Sequence, residues 1–588
     1  MSIRIVFYIL SIQILLSSTL FGTDPVKKKI DRQLTELAEK GYTQIEYLVT
    51  LKQQAVLPDL KGMNKKEKGR TVYNLLNSFA STHQKDLIYF LQQRSIRHKS
   101  YFVVNAIWVQ SDPEMMYQIA ARADVKGLAH NPWVKLQIPE EEKTQLTQRS
   151  PLPEWGILKI KADSVWELGY RGTGVVVAGQ DTGYEWDVSP LREKYRGFGG
   201  GSADHNYNWH DAIREPNPRF PAENLNPCGL GLLFPCDDNN HGTHTMGTMV
   251  GEDENNAIGV APEAKWMACR NMDRGWGKPS TYIECFEWFL APTDLQGQNP
   301  DPDMSPHVIN NSWACPEDEG CNASNWDVME MVVKNLTASG IMVVVSAGNS
   351  GSRGCGSIDT PAPMFEASFT VGSTRQNDTI SGFSSRGPVI ADESFRLKPD
   401  VVAPGQGVRS VVRGGGFAAY SGTSMAGPHV AGLVALLISA NPALAGEVEV
   451  LSRIIRSSAV PLIAEQDCFD YSGMDIPNAT YGYGRIDAMK ALRLALDFTQ
   501  KTNEDKVLSG IKLYPNPTEQ NISFLIENAN ESIRTLTLFD FTGRIILEKR
   551  LSSDSNVFFA ELQTIKSGPL FYIVRTDKSV YTGKFIKL

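Results

Sequence analysis

Apolar and polar positions change rhythm several times along this chain, and each change predicts a boundary. The first residues run MSIRIVFYILSIQILLSSTLFG: one basic residue, Arg4, then an apolar stretch from Ile5 to Leu16 and the small residues Ser17 and Ser18. That layout predicts a secretory signal peptide over 1–22, and the run is short for a spanning helix. Beyond it IEYLVTL (Ile45–Leu51) alternates as a strand does, and Val72, Leu75, Leu76, Phe79, Leu87, Phe90 and Leu91 recur at helical spacing. YFVVNAIWVQ (Tyr101–Gln110) predicts a second strand, Met115 to Ala121 a short helix, and WVKLQI near residue 135 a third strand. Residues 27–140 therefore predict a small α+β module.

Residues 139–154, PEEEKTQLTQRSPLPE, are charged and proline-bearing with no apolar period, which predicts a linker open to cleavage, here bounded as 141–154. From Trp155 to about Phe498 the rhythm changes again. Unbroken apolar strands such as VVVAG (Val175–Gly179) and IMVVVSAGN (Ile341–Asn349) alternate with helical stretches. Strands that are apolar on both faces and separated by helices argue for a parallel sheet covered on both sides. Glycine-rich turns end those strands, where open α/β sheets bind ligands. Residues 507–588 break into short strands, KLYPNP, NISFLIE, TLTLFDFTG, RIILEKRL, FYIVRT and YTGKFIKL, which predict a β-sandwich.

Composition narrows this picture in two ways. A formal net charge of −8 leaves no basic stripe for a phosphate backbone, so a nucleic-acid partner is not expected. The eight cysteines all lie between Cys228 and Cys468. An even count behind a signal peptide favours disulfides, with Cys228 to Cys236 and Cys315 to Cys321 candidates on proximity.

Three short stretches carry chemistry. In AGQDTG, Asp181 follows a buried strand, where a carboxylate can hold an imidazole in one tautomer, or simply close a turn. In NNHGTHTMGTMVG, His241 can act as a general base. His244, three residues on, with Asp237 and Asp238 upstream, also fits a metal pair, although the glutamate of an HExxH site is missing. In SGTSMAGPHVAG, Ser424 enters the first turn of a buried helix, where the exposed N–H groups favour developing negative charge; a helix-capping serine is the plainer reading.

Together these stretches resemble the subtilase family of serine peptidases, whose triad follows the chain order Asp, His, Ser. INNSW (Ile309–Trp313), SAGNSG (Ser346–Gly351), FSSRGP (Phe383–Pro388), KPDVVAPG (Lys398–Gly405) and YGYGRIDA (Tyr481–Ala488) extend the resemblance over roughly 155–495, within a catalytic domain bounded as 155–498, and ACRNMDRG and INNSWACPEDEGC are similar to its bacillopeptidase-type branch. The resemblance implies an α/β fold with a subtilisin-like parallel sheet and helices on both faces, preceded by a small α+β propeptide and followed by a β-sandwich. It implies Asp181 as orienting acid, His241 as base, Ser424 as nucleophile and Asn349 as oxyanion donor. Ser312, Trp313 and Ala314 would form one edge of the primary specificity pocket and Ser346, Ala347 and Gly348 the other. Asp359 would lie near its floor and favour a basic P1 residue, or else serve as a loop residue or calcium ligand. No cofactor is implied for the chemistry, and structural calcium is allowed.

Residues 27–140 resemble an inhibitor-type propeptide, which makes the chain's own propeptide an intramolecular inhibitor of a zymogen. LYPNP (Leu513–Pro517), FDFTGRII (Phe539–Ile546) and the GPLFYIVRTDKSVYTGKFIKL ending resemble the sorting domain of type IX secretion. That implies a partner in the type IX machinery and a secreted or surface-attached protein of a Gram-negative bacterium. Protein or peptide substrates follow from the peptidase reading. The rivals are a surface-anchored binding protein on an inactive subtilase scaffold and, third, a metal-dependent hydrolase.

Overall fold

A computed structural model describes residues 25–136, 150–312, 320–505, 511–514, 516, 518–526, 531–540, 544–550 and 557–588. The expected signal peptide and most of the linker lie outside these residues. The chain divides into two compact units at Ala495/Leu496.

The first unit begins with the expected α+β module. A four-stranded antiparallel sheet places Ile45–Leu51 between Ala106–Ser111 and Val125–His130, with Arg97–Tyr101 at the edge. Alternation along the central strand sends Tyr47, Val49 and Leu51 into a core with Leu34, Leu87, Leu91 and Ile119 from the module's own helices. Leu48 belongs instead to a cluster that includes Tyr282, Phe286, Val332 and Leu336, so the other face is completed by helices Pro279–Leu290 and Ala323–Ala338 of the larger domain.

Two sequence expectations change here. Tyr101–Gln110 is not one strand: a turn at 102–105 folds it into the hairpin Arg97–Tyr101 and Ala106–Ser111. The turn backbone is claimed from outside the module, because Glu287 accepts from Val103 N at 2.9 Å and from Phe102 N. Residues Val134–Lys135 form a strand, but it pairs antiparallel with Trp276–Gly277 of the larger domain rather than within its own module. Leu136 N extends the pairing by donating to Gly275 O at 2.7 Å.

The linker also ends earlier than 154. Ser150–Pro153 pairs in parallel with Asn256–Ala257, Glu154 bonds Arg409 at 2.9 Å, and Trp155 starts a helix. These residues already belong to the larger domain.

That domain is built on seven parallel strands in the spatial order Trp209–Asp211, Lys265–Arg270, Val176–Asp181, Val308–Asn311, Met342–Ser346, Phe369–Thr374, Val401–Pro404. The central strands are buried along almost their whole length, as their unbroken apolar sequences require. Helix Thr423–Ala440 packs against several of them and is itself almost entirely buried, which explains its uniformly apolar sequence. Disulfides join Cys228 to Cys236, Cys269 to Cys285 and Cys355 to Cys468. The first was expected on proximity; the Cys315 candidate lies outside the described residues.

The second unit is a sandwich of two antiparallel sheets. Strands Ile511–Tyr514, Asn521–Ile526 and Val557–Glu561 form one, and Ile545–Arg550, Ile533–Phe539, Gly568–Thr576 and Val580–Lys587 the other. Alternate residues, among them Ile522, Phe524, Leu536, Leu538, Tyr572, Val574 and Phe585, fill the space between them.

Candidate active site

The carboxyl ends of the central strands and the starts of two helices converge on one rim. Asp181 ends its strand and is 1 % exposed. Its carboxylate accepts Thr182 N at 2.7 Å and faces His241, whose Nδ1 lies 2.8 and 2.9 Å from the two oxygens. Because a carboxylate only accepts, Nδ1 carries the proton and the lone pair of the neutral ring is on Nε2.

His241 is the first residue of helix His241–Val250, and the local sequence fixes that start. Asp237 Oδ1 accepts the N–H groups of Asn239 and Asn240 at 2.9 and 3.0 Å, and Oδ2 accepts Thr243 N and Oγ1 at 2.9 and 2.6 Å. One buried carboxylate thus satisfies donors that a helix start leaves open. Gly242 is required by space: a Cβ there would stand 2.0 Å from Gly183 O and 3.1 Å from Asp181 Cβ.

This arrangement overturns the metal-pair reading. His244 turns away from His241; its Nε2 meets the carbonyls of Val408 and Ala418 at 3.0 and 3.1 Å, and its ring stacks on Tyr420. Burial pushes its pKa down to about 3, with the neighbouring His241 adding to the effect. Asp237 is occupied in capping, and Asp238 accepts Arg274 N at 2.9 Å and Asn226 Nδ2 at 2.6 Å. Among the described residues no group of three or more His, Cys, Asp or Glu side chains could hold a metal ion.

Ser424 lies in the first turn of helix Thr423–Ala440, which packs against helix His241–Val250. Pro428, four residues on, has no N–H, so the Ser424 carbonyl lacks the donor that a regular helix would supply. Ser312 supplies one: its Oγ donates to Ser424 O at 3.2 Å and accepts from Asn310 Nδ2 at 2.9 Å. The proline therefore ties the serine turn to the end of strand Val308–Asn311. Gly427 lets the two approach, since a Cβ would meet Asn310 Oδ1 at 2.8 Å. The Ser424 hydroxyl makes a long 3.5 Å contact to Ser312 O and none to His241 in this structure. His429 is structural: its Nδ1 bonds Met425 O at 2.9 Å and burial lowers its pKa to about 4.

Asn349 stands beside this turn. Thr423 N and Oγ1 both reach the same atom of its amide, at 3.0 and 2.9 Å. A backbone N–H can only donate, so that atom is the oxygen, and the amide NH₂ points away from Thr423.

The remaining predicted residues are placed less uniformly. Ser312 and Ser346 are buried, their hydroxyls 3.5 Å apart under the serine turn. Ala347 N is held by Val371 O at 2.9 Å, and Gly348 adopts φ +99°, with its N–H donating to Thr423 Oγ1 at 3.2 Å. Trp313 and Ala314 lie outside the described residues. Asp359 is already paired, bidentate with Arg353 at 2.7 and 2.9 Å. Two contributors escaped the sequence reading: Thr423, adjacent to the serine, and Pro428, whose spacing from Ser424 was the available signal.

Known proteins give a consistent comparison. The profile described as Subtilase family matches residues 172–484, and that described as Secretion system C-terminal sorting domain matches 512–588. Bacillopeptidase F of Bacillus subtilis (strain 168) is 35 % identical over 459 residues, 73 % of this chain but 29 % of the relative's length. Subtilisin amylosacchariticus of Bacillus subtilis subsp. amylosacchariticus is 29 % identical over 372 residues, 62 % of this chain and 82 % of the relative. M-protease of Shouchella clausii (strain KSM-K16) is 31 % identical over 321 residues, 54 % of this chain and 67 % of the relative.

Proposed function

Because this chain belongs to the subtilase family of serine peptidases, we propose that it is a secreted endopeptidase, made as a zymogen, with Ser424 as nucleophile, His241 as base and Asp181 as orienting acid. The observation that carries the reading is the Asp181 carboxylate at 2.8 and 2.9 Å from His241 Nδ1, which leaves Nε2 as the basic nitrogen. Ser424 Oγ leaves its 3.5 Å contact with Ser312 O, gives its proton to Nε2 and attacks the scissile carbonyl. The C–N bond then breaks as the leaving amine takes the proton back from Nε2, and water repeats the sequence on the acyl-enzyme. The Asn349 NH₂ and the Ser424 N–H stabilise the oxyanion, and Asp181 the imidazolium.

Val134–Lys135 lies in strand pairing on the Trp276–Gly277 edge, the manner in which extended peptides dock on sheet edges. We read residues 27–136 as the inhibitor that occupies the non-primed side until the chain is cut between 136 and 150. Residues 512–588 are a secretion-system sorting domain, which suggests a secreted or cell-surface protein. Export through the type IX machinery of a Gram-negative bacterium completes the proposal.

Intact mass of the secreted protein with and without a fluorophosphonate, beside Ser424→Ala, tests it. One adduct on a species trimmed before residue 150, with Ser424→Ala unlabelled and untrimmed, is the expected result. An unlabelled protein, or trimming that persists in Ser424→Ala with no second protease present, removes it.

A further inference from the structure

Between strand Trp209–Asp211 and His241 the chain makes a loop, CGLGLLFPC, closed by the Cys228–Cys236 disulfide. Its large apolar side chains face outward: Leu230, Leu233 and Phe234 are 36, 54 and 50 % exposed, and Leu225 just before them 78 %. Four exposed large apolar residues within ten positions are a local concentration that calls for a partner, unlike the single exposed residues found on any protein.

The loop cannot turn these side chains inward, because its backbone is anchored there. Gly231 N donates to Ile213 O at 2.8 Å and Leu232 N to Asp211 Oδ2 at 2.7 Å, while Leu232 O accepts Trp209 Nε1 at 3.0 Å. Buried Arg270 holds Gly229 O at 2.8 Å. A ledge fixed by four hydrogen bonds and a disulfide loses little conformational freedom when something binds to it.

Its position names the occupant. Cys236 O packs against the turn after Asp181, where a Cβ on Gly183 would come within 1.9 Å of it. On the other side Asn226 binds both Asp238 and Asp273, and the Asp273 strand pairs with Trp276, the strand that carries Val134–Lys135. Arg274 lies 3.6 Å over Phe220, and Arg219 5.0 Å over Trp276. The loop thus joins the start of the His241 helix to the edge on which an extended chain is already laid.

We propose that the Cys228–Cys236 loop is an apolar substrate-recognition ledge, which binds large apolar side chains of a protein substrate outside the residues paired to the Trp276–Gly277 edge. The inference rests on the peptidase reading above, and its test separates the two. The matured full-length product and its Leu233→Ser/Phe234→Ser variant are compared on a short chromogenic tetrapeptide, on β-casein and by fluorophosphonate labelling; Leu230→Ser serves as an independent second variant. The expected result is a loss of about tenfold in kcat/KM for β-casein, the scale of removing apolar contacts from a recognition site, with tetrapeptide hydrolysis and labelling unchanged. Equal losses on both substrates, or none on either, overturn the ledge. So does a variant that cleaves normally but sediments as a smaller species, because the patch would then join copies of the chain. If the unmodified protein neither cleaves the tetrapeptide nor takes the label, the peptidase reading itself falls and the ledge with it.

Discussion

Thr423→Val isolates the device that orients the Asn349 amide. In the structure Thr423 N and Oγ1 hold the Asn349 oxygen at 3.0 and 2.9 Å, and Oγ1 accepts Gly348 N at 3.2 Å. Valine keeps the shape and the N–H but removes the hydroxyl, so the amide oxygen loses the bond from Oγ1 and Gly348 its acceptor. A neutral hydrogen bond is worth about 1 kcal/mol net. If one such bond is what keeps the NH₂ aimed at the oxyanion, kcat falls about fivefold with KM unchanged, since 1.36 kcal/mol corresponds to tenfold in rate. Asn349→Ala, which removes the donor itself, is expected to cost about 10²–10³ in kcat. The two effects are not independent. In an Asn349→Ala background Thr423 has no amide to orient, and Thr423→Val should add far less than fivefold, since only the Gly348 acceptor remains to be lost. Single-turnover acylation of a chromogenic peptide by the four proteins completes the cycle. A fivefold loss in both backgrounds would refute the argument and assign Thr423 to the serine turn instead.

Two further perturbations follow from charges at the same site and at the interface of the N-terminal module. Glu287, which receives the Phe102 and Val103 N–H groups, is raised from 4.5 to about 7, chiefly by desolvation, and Lys65, against Ser305, is lowered from 10.5 to about 7 by burial. A carboxyl raised in the complex favours it at low pH and loses that contribution as pH rises to about 7, whereas a lowered lysine strengthens it from about 7 upward, so if residues 27–136 are the inhibitor proposed above, inhibition by them should be weakest near pH 7. Glu287→Gln should remove the acid-side slope, and an inhibition constant flat across that range would contradict the linkage. Arg353→Met leaves Asp359 without its bidentate partner, and should raise kcat/KM for lysine over leucine at P1 by roughly fivefold through the unpaired charge. Asp359→Asn in the same background should reverse it; an unchanged ratio places Asp359 away from the pocket.

Much of this was legible because the responsible signals are local. Val176–Asp181 and Met342–Ser346 are read directly from unbroken apolar runs, and the first-turn position of Ser424, though not its role, from small residues entering an apolar helix. What escaped depends on partners distant in sequence. The turn that splits Tyr101–Gln110 is stabilised by Glu287, and no pattern within those ten residues records a carboxylate more than 180 positions away. Val134–Lys135 looked like a strand of its own module because alternation names a strand but not its neighbour. Arg353 is the exception to distance: it lies only six residues before Asp359, but a sequence shows a charge and not its counter-ion. His244 looked like a ligand because three-residue spacing puts two side chains near one helix face, while the hairpin that claims its Nε2 begins more than 160 residues later.

The parallel sheet explains why so many of these parts meet. All seven strands point the same way, so Asp181, Ser312 and Ser346 emerge at one rim. Two of the connections that leave that rim run through long helices, which brings the N-termini of His241–Val250 and Thr423–Ala440 to the same place. A helix start presents unsatisfied N–H groups, and one of them belongs to Ser424, where an oxyanion would form. The short hairpin Met272–Asp273 with Trp276–Gly277 follows directly from strand Lys265–Arg270, so its edge also lies at the rim and takes Val134–Lys135 as a third strand. If substrates use this edge as proposed above, Val134–Lys135 must leave it first. Under the proposed function, the geometry that assembles the chemistry would also make the uncut chain its own competitor.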